Sequence, residues 1–189
     1  MELHTQLKSL ATKVDKLKDQ ITNEESTKHA FVLPFINILG YDAFNPMEVV
    51  PEFTADIGMK KGEKVDYAIY QNGEPILIVE CKHWTSSLDV HNSAQLFRYF
   101  HVTKTRFALL TNGITYKFYT DLEDANKMDE KPFFLSHLEA SSYFCSGLSP
   151  VTSSASTHLS FAADFARFFT SSIFIIESFD SPISALYVQ

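Results

Sequence analysis

Aliphatic residues open the chain in a helical stripe. Leu3, Leu7, Leu10, Val14, Leu17 and Ile21 recur at alternating spacings of four and three, with Lys, Asp and Gln between them. This a/d pattern predicts one amphipathic helix over residues 1–23, either packed on its own domain or paired as a short coiled coil with a partner. Thr22-Asn23-Glu24-Glu25 then supplies cap-type and acidic residues, so a second helix is expected over 24–39 (EESTKHAFVLPFINIL), bent at Pro34 and ended by Gly40. Beyond it the period changes from that of a helix to that of a strand. Glu48–Phe53 reads as a short strand whose Pro51 favours an edge, and Lys64–Tyr70 (KVDYAIY) alternates apolar with polar. Gln71-Asn72-Gly73 is a turn, and Pro75–Lys82 (PILIVECK) is an apolar run that ends in charge.

Residues 88–101 (LDVHNSAQLFRYFH) predict a helix. Arg106–Thr111 and Ile114–Thr120 flank Asn112-Gly113, for which a type I′ hairpin turn is expected. Helix, strand, hairpin, helix, hairpin is the order of an α/β domain built around a mixed sheet flanked by helices. After about residue 140 the composition changes. Residues 141–160 carry no Asp, Glu, Lys or Arg and are dense in Ser, and Arg167 is the sole Lys or Arg of 141–189. The expected organisation is therefore an N-terminal helix (1–23), a central domain (24–140), and a Ser-rich linker with a C-terminal apolar element (141–189).

Apolar content of 45% fits a globular chain, and no stretch approaches the length of a membrane span. The first twenty residues are charged throughout, without the apolar core of a secretory signal, and Cys81 and Cys145 make neither a disulfide framework nor a zinc site. A cytoplasmic protein without a membrane partner is expected. The formal net charge of −7 argues against tight unaided binding to nucleic acid, because phosphates must be neutralised by Lys and Arg.

The candidate chemistry lies on the two central strands. Asp66 interrupts an apolar strand, and fourteen residues later Glu80-Cys81-Lys82 closes the next one. Residues two apart on a strand share a face, so Glu80 and Lys82 project together and Cys81 points to the opposite layer. Paired through the 71–73 turn, Asp66 and Glu80 converge at one sheet edge. Two carboxylates there suit Mg²⁺, a hard ion that takes oxygen ligands and keeps several waters, and the Cys81 carbonyl offers a further ligand. A lysine beside a phosphate adds a donor and a positive charge, which is the place Lys82 occupies. Gln95 and Tyr99, at i and i+4, share one face of the following helix, where they can orient ligands or a phosphate. Glu25, with Glu24 competing for the role, opens the second helix where a carboxylate can reach the same edge.

NEESTKHAFVLPFINILGYD, EKVDYAIYQNGEPILIVECK, QLFRYF and RFALLTNGITYKFY follow one another over residues 23–137. In that order they resemble the N-terminal nuclease domain of type I restriction enzyme R subunits, a branch of the PD-(D/E)xK nuclease superfamily. The resemblance implies a restriction-endonuclease-like fold and Mg²⁺-dependent cleavage of DNA, with other restriction subunits as partners. It maps metal binding onto Asp66 and Glu80, catalysis onto Lys82, a supporting carboxylate onto Glu25, and a structural or phosphate-positioning role onto Gln95 and Tyr99. Val65 stands where the superfamily name has proline. The competing expectation is a catalytically silent nuclease fold serving in assembly, to which the acidic charge and the leucine stripe lend support.

Overall fold

The alternation in KVDYAIY and the β-branched run of PILIVECK build a hairpin at the heart of a computed structural model that describes residues 3–55, 63–103, 105–138 and 144–147. β2 (Val65–Gln71) and β3 (Glu74–Cys81) pair antiparallel, with Tyr67 opposite Val79 and Ala68 opposite Ile78. Their connection is Asn72-Gly73, both at positive φ (54° and 81°). This is the requirement of a type I′ turn, whose twist matches that of the strands it joins. β1 (Val49–Phe53) lies outside β2 as the edge strand, where the missing N–H of Pro51 costs the ladder little.

From β3 the chain crosses over through helix α4 (Val90–Val102) and returns as β4 (Phe107–Thr111), parallel to β3. β5 (Thr115–Tyr119), β6 (Phe134–His137) and β7 (Phe144–Gly147) follow antiparallel, so the seven strands lie in sequence order. The expected α/β mixed sheet is present. Two details differ from the expectation. Asn112-Gly113 belongs to a three-residue connection in which Gly113 alone has positive φ (78°), so the I′ turn sits at 72–73 instead. Residues 144–147, expected in a linker, pair with β6; the remainder of that segment, including 161–169 and 172–179, lies outside the described residues.

Helices cover both faces. α1 (Leu3–Leu17) is followed by a 3₁₀ turn (Lys18–Gln20). The second helix is continuous but built in three parts: α2 (Glu24–Thr27), a π turn (Lys28–Val32) and α3 (Leu33–Ile38). Asn23 caps it, its side chain accepting from the Ser26 N–H at 2.7 Å. The π turn stands just before Pro34, whose ring would crowd the carbonyl four residues back in a regular α-turn; widening the turn relieves that clash. Leu7, Leu10 and Ala11 pack with Phe35, Ile36, Tyr67, Val79 and Cys81 on one face of the sheet. Leu96, Tyr99 and Phe100 of α4 pack with Ala68, Ile78 and Leu110 on the other.

The leucine stripe of residues 1–23 is thus spent inside the molecule. Leu7, Leu10 and Val14 are buried, and Leu3, Leu17 and Ile21 lean on the same cores. Self-association or partner binding through that stripe is corrected on this ground, because the apolar face a partner would need is already covered.

Candidate active site

β2 and β3 part company at one end, and the site forms where they do. Tyr67–Val79 is the last cross-strand pair, and one step further stand Asp66 and Glu80. β2 remains on β1 there, with Val65 opposite Phe53. In place of the lost backbone pairing, the Asp66 carboxylate enters the gap, and its Oδ2 accepts the Cys81 N–H at 2.6 Å. The side chain therefore completes the ladder that its own backbone has left.

Glu80 shares strand parity with Ile78 and is only 4% exposed. Lys82 Nζ donates to Glu80 Oε1 at 2.5 Å, while Oε2 is buried and has no hydrogen-bond partner among the described residues. Burial, reinforced by the nearby Asp66 charge, pushes the Glu80 carboxyl up to about 7 against the opposing pull of Lys82. Burial works against the Lys82 ammonium, but its hydrogen bond to Glu80 prevails and the group is held above its usual range. Cys81 is fully buried in the opposite layer, and burial with the charge of Asp66 raises its thiol well above the ordinary value.

The second helix brings a residue that the sequence reading passed over. Lys28 is buried, and its Nζ lies 2.5 Å from Asp66 Oδ1, 2.6 Å from Glu25 Oε1 and 3.7 Å from Glu24 Oε1. Glu24, Glu25 and Lys28 stand at the i, i+3 and i+4 spacings of ion pairs on one helix face, which is the only trace the sequence holds. That the cluster also reaches β2 is a tertiary fact.

A cleft of about 450 Å³ opens beside these groups, lined among others by Glu25, Lys28, Glu63, Lys64, Asp66 and Gln95. Glu80 and Lys82 are not among its lining residues. Gln95 Nε2 donates to the Lys64 carbonyl and Tyr99 Oη to the Glu63 carbonyl, so both tie α4 to the segment that leads into Asp66. Tyr99 is fully buried and meets Phe53 edge-on. Lys64 pairs with Glu52 and Arg98 with Glu63, while Lys60, Lys61 and Lys104 of the sequence lie outside the described residues.

Comparison with protein families matches residues 23–132 to the type I restriction enzyme R protein N terminus (HSDR_N). The chain belongs to this family. The match spans the second helix, the β2–β3 hairpin, α4 and β4–β5, and so encloses every residue of the cluster just described. No curated protein and no solved structure matched the chain. Membership of the R-protein N-terminal family ties the chain to a restriction-related role. Among the described residues no helix is long and apolar enough to cross a membrane.

Proposed function

We propose that this R-protein N-terminal domain is a metal-dependent DNA endonuclease acting in the cytoplasm within a restriction system, with Asp66, Glu80 and Lys82 as its chemical centre. The observation that carries the reading is Glu80: a buried carboxylate with one oxygen on Lys82 and the other without a hydrogen-bond partner among the described residues. A buried polar oxygen left unsatisfied is costly to a fold and calls for a ligand. No cage of three or more His, Cys, Asp or Glu side chains is gathered among the described residues. A pair of carboxylates supplemented by a backbone carbonyl suits Mg²⁺, which keeps most of its waters. Asp66 and Glu80 would hold the ion with the Cys81 carbonyl, and Glu25 would support it from the helix.

Such an ion supplies a more acidic water and neutralises charge on the phosphate. The rest falls to the chain. Lys82, anchored by Glu80, presents a positive charge and a donor for the phosphoryl oxygens as negative charge builds in the transition state. Asp66 is held in place by the Cys81 N–H, so its orientation does not depend on the ligand. Gln95 and Tyr99 fix the approach to β2 and thereby the position of Asp66.

The test is plasmid cleavage with Mg²⁺ in the presence of candidate restriction subunits, alongside calorimetric titration of Mg²⁺. Glu80→Gln is expected to lose both cleavage and metal binding. Lys82→Met should keep metal binding and lose cleavage by two orders of magnitude or more. Wild-type cleavage by Glu80→Gln would overturn the assignment.

A further inference from the structure

Lys28 takes no part in the chemistry just proposed, yet it is the most heavily contacted charge at the site. It is 8% exposed and lies within ion-pair distance of three carboxylates on two elements. The two oxygens of Asp66 are divided between it and the backbone: Oδ1 meets the ammonium and Oδ2 meets the Cys81 N–H. A lysine is buried at a cost unless its charge is matched, and here the matching groups are the same ones that a divalent cation would use. Burial disfavours its ammonium, but its hydrogen bonds to Asp66 and Glu25 more than compensate and keep it charged.

We propose that Lys28 is a resident counter-ion, a positioning residue that holds Asp66 and Glu25 together across the cleft and surrenders Asp66 when a divalent cation binds. The proposal rests on the nuclease reading above. Its logic is competition. An ammonium 2.5 Å from Asp66 Oδ1 occupies the approach to that oxygen, and a second positive charge arriving within a few ångströms repels it. Lys28 has somewhere to go, because Glu25 is 69% exposed at its side chain and can follow the ammonium outward. Metal-free, the site is held together by the lysine; metal-bound, by the ion. The lysine therefore lowers the site's affinity for the ion while protecting its geometry in the ion's absence.

The experiment uses the full chain and Mn²⁺ as the probe, read by electron paramagnetic resonance, with Mg²⁺ calorimetry in parallel. Lys28→Met, which keeps the volume and removes the charge, is expected to bind Mn²⁺ about tenfold more tightly than wild type. Lys28→Arg, which restores a cation, should return the affinity toward the wild-type value. In wild type, the Lys28 side-chain ¹⁵N resonance should shift on saturation with Mg²⁺, a readout available even if Lys28→Met does not fold. An unshifted resonance at saturation, or folded Lys28→Met binding Mn²⁺ no more tightly than wild type, overturns the proposal. Those results leave the nuclease reading standing provided that Glu80→Gln still abolishes binding. Absence of Mn²⁺ binding in wild type and every variant would sink both together.

Discussion

Glu80 makes the site's electrostatics measurable without any substrate. Its carboxyl is shifted from an ordinary 4.5 to about 7, so between those values the folded chain binds a proton that the unfolded chain has released. Stability from this group is then full below about pH 4.5 and is lost as pH rises through about 7. The size is roughly 3 kcal/mol at most, by the conversion of pKa shift to free energy. In chelator, urea unfolding of wild type should weaken over this interval relative to Glu80→Gln, and Mg²⁺ should remove much of the difference. Parallel pH profiles for the two proteins would count against the burial argument. Asp66, Glu80 and Lys82 were legible from sequence because strand parity and one turn suffice to bring them to one edge. Lys28 was not, since its partner on β2 is 38 residues away and no local pattern announces the contact.

Among the elements, the second helix is placed by the tip of the β4–β5 connection. A Cβ on Gly113 would stand 2.9 Å from Phe31 Cβ and 3.0 Å from Thr27 Cγ2, and its φ of +78° is one that L side chains rarely adopt. Gly113→Ala is expected to destabilise by roughly 2–4 kcal/mol, combining backbone strain with overpacking, and chemical denaturation would measure it. Because Thr27 adjoins Lys28, the same variant should disturb the lysine cluster. The two Asn-Gly pairs show where sequence reading reaches its limit. Asn72-Gly73 takes the I′ form between strands that need nothing else from it. Asn112 is recruited elsewhere, its Nδ2 donating to the Trp84 and Ser86 carbonyls and its Oδ1 accepting the Ile114 and Thr115 N–H groups. Identical dipeptides part ways because tertiary bonds outbid the intrinsic turn preference. β6 escaped notice for a related reason: FLSH has too short an alternation to stand out, and pairing with β5 makes it a strand.

At the scale of the molecule, charge limits what the domain does alone. Net charge is −7, and Lys64, Arg98 and Arg106 are each paired with an acid, Glu52, Glu63 and Asp121 respectively. Each must leave a carboxylate to meet a phosphate. Duplex binding by the isolated chain should therefore be weak at physiological salt and should fall further as salt rises, with only a few phosphates neutralised. Fluorescence anisotropy over a salt series would show this; tight, salt-insensitive binding would contradict it. The sheet itself has a seam. Its antiparallel pairs join neighbours along the chain, whereas β3 and β4 meet in parallel only after the α4 crossover, with Cys81 opposite Thr111 and the Lys82 N–H on the Thr111 carbonyl at 2.8 Å. Closing a long loop comes at an entropic cost that hairpins avoid, so the meander of β1–β3 should form early and the seam late. Lys82 stands at the end of that seam. In refolding experiments, substitutions at Leu109 should then change the unfolding rate far more than the folding rate, while those at Ile69 should slow folding. The chain would acquire its secondary structure first and its competence for chemistry last.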